Sequence, residues 1–243
     1  MRLDKLLAHY GYGSRKDVKT LLKQKTVFVN GEQVKEAKYH VNPEVDVVEV
    51  NGDIIRYKEF IYYVLHKPSG YISATVDDRE ETVIDLLPIR EQQIYEPFPV
   101  GRLDKDTEGL LLITNDGKLA HALTSPRREV PKKYYAHIDG RVSESDVKAI
   151  SDGVTLDDGY KTKPAQLEIL TSGAISEIEL TITEGKFHQV KRMFEAVDKK
   201  VIYLKRIQMG DIILDDSLPL GAIRDLTEKE LKYCEQIIGE KES

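Results

Sequence analysis

The sequence predicts an α+β protein in two parts. A small module of two helices and a hairpin covers residues 1–58, and a mixed, largely antiparallel sheet with helices covers residues 59–243. Three observations carry this reading. Short alternating apolar runs recur along the chain between Gly, Asn and Pro turns, as in strands joined by turns rather than in βαβ units. Helical spacing appears only in brief stretches between them. Charge is uneven: the chain carries a formal −6, yet residues 1–25 hold Arg2, Lys5, Arg15, Lys16, Lys19, Lys23 and Lys25 against Asp4 and Asp17. That is a net of +5, leaving −11 for the remainder. A small positive module on an acidic body is the pattern of a protein that grips phosphates at one place.

With 40% hydrophobic and 32% charged residues the composition is that of a globular protein, not a disordered one. No run of 18 apolar residues suggests a membrane span, and Met1 to Lys5 runs into mixed polar residues rather than an apolar signal core. Cys234 is alone, which excludes an internal disulfide and a Cys-rich zinc site. A cytoplasmic, monomeric protein is the expectation.

In chain order, Leu3, Leu6, Leu7 and Tyr10 fall at helical spacing, and Gly11-Tyr12-Gly13 stops that helix. Ser14 reads as the N-cap of a second helix, with Asp17 in place of the capping-box Glu. That helix buries Val18, Leu21 and Leu22 and turns Arg15, Lys16, Lys19 and Lys23 to solvent. Thr26 to Val29 is a strand, and Asn30-Gly31 signals a hairpin. Strand-like pieces continue through Val45 to Val50, Asn51-Gly52 turns again, and Arg56 to Glu59 is the join.

The second part opens on a strand, Phe60 to Leu65, and a turn, His66-Lys67-Pro68-Ser69-Gly70. A short helix is expected from Thr82, its cap, to Leu87, ended by Pro88. Pro99-Val100-Gly101-Arg102-Leu103-Asp104-Lys105-Asp106-Thr107-Glu108-Gly109 then leads into the apolar strand Leu110 to Thr114. A carboxylate on a loop in front of a buried strand is rigid yet reachable, which suits a nucleophile or general base. It is also what a turn-capping Asp looks like. Asp104-Lys105-Asp106-Thr107 approaches the Asp-x-Asp-x-Thr signature of aspartate-phosphorylating phosphatases, but their strand precedes the first Asp, and here it follows.

Lys118 to Leu123 reads as a helix and Lys132 to Ile138 as a strand with Tyr134, Ala136 and Ile138 on one face. Ser143 with Asp146 starts a helix to Ser151; Ala165 to Leu170 and Ile175 to Thr183 are antiparallel strands. Phe187, Val190, Met193, Phe194 and Val197 form a helical apolar face that leaves Lys191 off it. His188 reads as a helix-start or phosphate-contact residue, since no second His or Cys stands at ligand spacing. Val201 to Ile207 and Ile212 to Leu214 are strands, and Thr227 caps a last helix through Ile238.

The string Gly101-Arg102-Leu103-Asp104 with Thr107-x-Gly109-Leu110-Leu111 resembles the RNA pseudouridine synthases of the small-subunit (RsuA-like) type. So do Glu184-Gly185-Lys186-Phe187-His188-Gln189-Val190-Lys191-Arg192-Met193, the Lys67-Pro68-x-Gly70 element and the Thr162-Lys163-Pro164-Ala165 stretch. Residues 1–58, with Arg-Leu-Asp-Lys at the start and Ser14-Arg15-Lys16 opening the second helix, resemble the alpha-L RNA-binding fold. The resemblance implies isomerisation of a uridine to pseudouridine with no cofactor and no metal. It assigns Asp104 as the catalytic residue and Lys191 as its partner, with a Tyr lining the uridine pocket. Counted from Lys132 in the Lys-x-Tyr pattern the tyrosine is Tyr134; counted from Lys133 it is Tyr135. Arg102 would fill the space of the extruded base or hold its phosphate, while Arg2, Lys5, Ser14, Arg15, Lys16, Lys19 and Lys23 would grip RNA. The implied partner is ribosomal RNA or a partly assembled subunit. A large-subunit synthase and a non-catalytic rRNA-binding assembly protein are the alternatives.

Overall fold

The computed structural model describes residues 1–24, 26–43 and 45–239; Lys25, counted above among the basic residues, lies outside the described residues. Contacts divide the chain into two units, Met1–Ile61 with Pro88–Glu96, and Tyr62–Leu87 with Pro97–Ser243. Among the described residues no helix is long and apolar enough to cross a membrane.

In the first unit, α1 (Leu3–His9) and α2 (Arg15–Lys23) pack with β1 (Val27–Val29), β2 (Glu32–Gln33), β3 (Val48–Val50) and β4 (Asp53–Ile55). The strands form a sheet in the order β2-β1-β3-β4. The capping box is formed: Asp17 N–H donates to Ser14 Oγ, and Ser14 N–H donates to Asp17 Oδ2 at 2.8 Å. Asn30 and Gly31 take φ of 52° and 81°, the left-handed pair a two-residue hairpin with matching strand twist needs. Leu3, Leu6, Leu7, Val18 and Leu22 close the core on Val27, Val29, Val48 and Val50, while Leu21 is only half-buried. A third helix, α3 (Ile89–Tyr95), groups with this unit although the chain reaches it late.

The second unit holds a nine-stranded sheet among the described residues. Its main path runs β13 (Ile223–Asp225), β5 (Tyr62–Lys67), β7 (Glu108–Thr114), β11 (Lys200–Met209), β8 (Lys132–Asp139), β10 (Ile175–Ile182) and β9 (Gln166–Thr171). The short β6 (Phe98–Pro99) and β12 (Ile212–Ile213) pair with β7 and β11. Every pairing is antiparallel except β7 with β11, so the fold is the mixed, largely antiparallel α+β class. Helices α4 (Gly117–Thr124), α5 (Glu144–Asp152), α6 (Gln189–Glu195) and α7 (Glu228–Gly239) complete the unit. Asp116 caps α4, the Ser143–Asp146 box caps α5, and Thr227 Oγ1 accepts from Glu230 N–H at the start of α7.

Two expectations fail. Thr82 to Leu87 is a turn, not a helix. Thr82 and Asp85 bond as a cap would, but Val83, Ile84 and Leu87 sink into the core, and the helix comes after Pro88. Pro88 precedes that helix, where a missing N–H costs nothing. Phe187 is not on a buried helical face. His188 sits at φ 49°, so α6 begins only at Gln189 and Phe187 is thrown outward, 69% exposed, stacked on the His188 ring at 3.7 Å.

Candidate active site

The parallel seam places the site. Arg206 of β11 stands opposite Gly109 of β7 and opposite Tyr134 of β8, so three neighbouring strands bring these residues to one level. Gly109 has φ 107°, and a Cβ there would come within 2.2 Å of the Arg206 carbonyl oxygen. Only glycine lets the two backbones approach this closely. The loop carrying Asp104 enters at this end of the sheet, where β7 and β8 begin and β10 and β11 finish.

That loop is held from below. Lys67, fully buried at the end of β5, points its ammonium at four carbonyls: Thr107 at 2.8 Å, Asp104 at 3.0 Å, Pro68 at 3.1 Å and Lys105 at 3.3 Å. Burial pushes its pKa down to about 8, against the pull of Asp106, Asp104 and Glu108. Ser73 clamps the loop from the side, its Oγ donating to Leu103 O at 2.9 Å and accepting from Leu103 N–H at 3.0 Å. An Asp on a loop so pinned keeps its carboxylate in one place.

The Asp104 carboxylate is one-quarter exposed, with Lys191 Nζ 3.1 Å from Oδ2 and His188 Nε2 3.5 Å from Oδ1. Lys191 lies still closer to Asp106, at 2.6 Å. Burial works against the Lys191 ammonium, but Asp106 and Asp104 together outweigh it and hold its pKa above the ordinary value. Asp106 is in turn held below the usual carboxylate range: its partial burial works the other way, and the Lys191 ammonium prevails. The arrangement is a carboxylate pair sharing one cation, and it keeps negative charge at the mouth of a cleft.

Asp104, Lys191, Tyr134 and Arg102 all line that cleft. Tyr134 is 7% exposed and faces it, whereas Tyr135 is on the opposite face, donating to Glu177 Oε2 at 2.6 Å. Register thus separates the two tyrosines that the sequence pattern leaves open. Arg102 is exposed at the rim. Of the basic residues in the first unit, Lys5, Arg15, Lys16, Lys19 and Lys23 are exposed. Arg2 instead forks onto buried Asp4 at 3.0 and 2.6 Å, and Ser14 Oγ serves as the α2 cap, also donating to Asp17.

Four residues here escape a reading of the sequence. Lys67 reads as part of a turn, although a Lys at the end of an apolar strand just before Pro is a signal that its ammonium needs carbonyls. Asp106 gives no sign of being a partner of Lys191. Buried Glu184 accepts from Tyr160 Oη at 2.6 Å, Gln189 Nε2 at 2.7 Å and Lys163 N–H at 3.0 Å, and so fixes the turn into α6. Arg206 has no local signal at all.

Comparisons with known proteins agree with this architecture. Residues 61–196 match the family model for RNA pseudouridylate synthase, and residues 1–47 match that of the S4 domain. The chain is 53% identical to an uncharacterised RNA pseudouridine synthase of Bacillus subtilis, over 95% of this chain and 97% of that one. It is 38% identical to the ribosomal small subunit pseudouridine synthase A of Escherichia coli (95% and 98% covered), and 41% to the ribosomal large subunit pseudouridine synthase B of Bacillus subtilis (95% and 94%). A crystal structure of a pseudouridylate synthase superimposes with a TM-score of 0.67 at 35% identity, covering 96% of this chain and 99% of that one. With the family model covering the residues that carry Asp104, Tyr134 and Lys191, and relatives matching nearly end to end, the chain belongs to the RNA pseudouridine synthase family.

Proposed function

We propose that this protein isomerises a uridine of ribosomal RNA to pseudouridine, with Asp104 as the essential carboxylate. The observation that carries the reading is the Asp104 carboxylate held 3.1 Å from the Lys191 ammonium in a cleft faced by Tyr134. The reaction breaks the C1′–N1 bond, turns the base and joins C1′ to C5, so nothing is oxidised and no group is supplied from outside. A base cannot turn within a stack, so the uridine is first extruded, at a cost of a few kcal/mol recovered by stacking and hydrogen bonds. Tyr134 supplies the stacking face, and exposed Arg102 at the rim takes the vacated space or the neighbouring phosphate. Asp104 then attacks the sugar or removes a proton from it, with the Lys191 ammonium beside it at 3.1 Å.

The small-subunit RNA is the first candidate, on the Thr162-Lys163-Pro164-Ala165 stretch, which anchors the cleft through the Lys163 N–H to Glu184 bond. Mapping pseudouridine in rRNA from cells with and without the protein tests this directly. One position lost from small-subunit rRNA is expected. A loss confined to large-subunit rRNA would select the alternative substrate, and an unchanged map would leave an RNA-binding assembly protein.

The first unit holds the RNA by its phosphates. Reversing Arg15, Lys16 and Lys19 to Glu is expected to weaken binding and to flatten its salt dependence, by about 0.7 to 0.9 in the log–log slope for each phosphate no longer neutralised. Binding titrations between low and moderate salt read it; an unchanged slope would return α2 to a merely solvated face.

A further inference from the structure

Arg206 is the largest side chain among the fully buried ones, 2% exposed, and it lines the cleft. Its Nε donates to Leu110 O at 2.8 Å, but its buried Nη2 has no hydrogen-bond partner among the described residues. An unpaired buried guanidinium is costly, and such groups in native proteins call for an explanation. The cleft's own carboxylates do not supply one: Asp104 is engaged by Lys191, and Glu184 by Tyr160, Gln189 and the Lys163 N–H. A second cation, Lys132, lines the same cleft, its Nζ turned to Val130 O at 2.9 Å; burial, and then the Arg206 charge, push it down to about 8. Positive charge is therefore concentrated beside Tyr134, the register partner of Arg206, and among the described residues no anion meets the free Nη2.

The reaction makes an anion at that place. When C1′–N1 breaks heterolytically, the bonding pair stays with the base, as a uracil anion delocalised over N1, O2 and O4. C1′ is satisfied meanwhile by a bond to the Asp104 carboxylate or by loss of a sugar proton. The pair is returned when C5 attacks C1′, and the C5 proton leaves as N1 regains one. We propose that Arg206 is a further catalytic residue, donating its free Nη2 to a carbonyl oxygen of the base and stabilising the charge that the base bears while detached. This rests on the pseudouridine reading above. A donor in a dry site that meets charge only as the base detaches is worth far more to the transition state than to the bound substrate.

The test compares wild type, Arg206→Met and Arg206→Lys on rRNA transcripts made with uridine or with 5-fluorouridine, whose base leaves as a more stable anion. Cleavage of the C1′–N1 bond is measured in single turnover. With uridine, Arg206→Met is expected to lose about 10²- to 10³-fold in rate, with little change in RNA affinity. With 5-fluorouridine the loss should shrink about tenfold or more, because less charge is left to stabilise. Arg206→Lys, which keeps the charge, should lie between, with the same shrinkage. The thermal midpoint of Arg206→Met should change little, since the lost Nε bond to Leu110 O is offset by removing a buried charge whose Nη2 is unpaired. Equal losses on both transcripts, or a loss of affinity with the rate intact, would make Arg206 a structural or phosphate-contact residue and overturn the proposal; should the Met variant not fold, the Lys variant decides on the same comparison. A wild-type protein that rearranges neither transcript would instead overturn the underlying reading, a result distinguishable from the first because it appears before any substitution is made.

Discussion

Asp104→Asn is expected to abolish pseudouridine formation, by about 10⁴-fold or more, the scale of losing a nucleophile that its neighbours cannot replace. RNA affinity should change little if, as proposed, the basic residues of α2 hold the phosphates. The fold should also tolerate the change. Lys191 keeps Asp106 at 2.6 Å, so its ammonium is not left unpaired, and an amide occupies the same space as the carboxylate. The measurement is pseudouridine yield on rRNA beside a binding titration and a thermal melt of the same preparation. Substantial turnover by Asp104→Asn would remove the carboxylate from the chemistry, and Asp106, the other anion on Lys191, would be the next residue to replace.

Lys67→Met is expected to damage both stability and rate, for a reason unrelated to substrate contact. The Thr107 carbonyl has no other donor among the described residues, and those of Asp104 and Lys105 keep only the backbone bonds from Thr107 and Gly70. Losing charge-assisted bonds of this kind inside a protein costs about 2–4 kcal/mol in total, or a fall in thermal midpoint of about 5–15 °C for a chain of this size. A loop free to shift by an ångström would cost about 10²-fold in the chemical step. The signature separating Lys67 from a binding residue is a fall in rate with RNA affinity retained. Its ionisation adds a pH dependence: the folded pKa of about 8 lies below the unfolded 10.5, so between those values the unfolded chain holds more protons. This group therefore makes the fold more stable as pH rises through that window, while the ammonium that ties the loop is lost. A melt that ignores pH from 8 to 10 would show that the ammonium is no costlier in the folded chain than in the unfolded one.

Much of the fold was legible because it is encoded locally. The Ser14–Asp17 and Ser143–Asp146 boxes, the Asn30-Gly31 hairpin and the alternation in β8 and β10 each need only a few adjacent residues, and each forms as read. The errors fall where distant groups decide. Thr82 to Leu87 carries a cap and apolar residues, but three of those residues are drawn into the core from a turn. The Phe187 to Val197 periodicity is broken by one left-handed residue, His188, beside Asp104.

The same division runs through the site. The sequence alone determined which carboxylate, which cation and which pair of tyrosines to consider, because Asp104, Lys191 and Tyr134 or Tyr135 sit in strings that resemble those of the pseudouridine synthases. Which tyrosine faces the cleft was decided by pleat and register, and the hold of Lys67 on the Asp104 loop by burial beneath it. The lone guanidinium of Arg206 was decided by the parallel pairing of β7 and β11, whose residues stand about a hundred positions apart in the chain. Hydrogen bonds and Coulomb forces act through space, and only the folded sheet sets those distances.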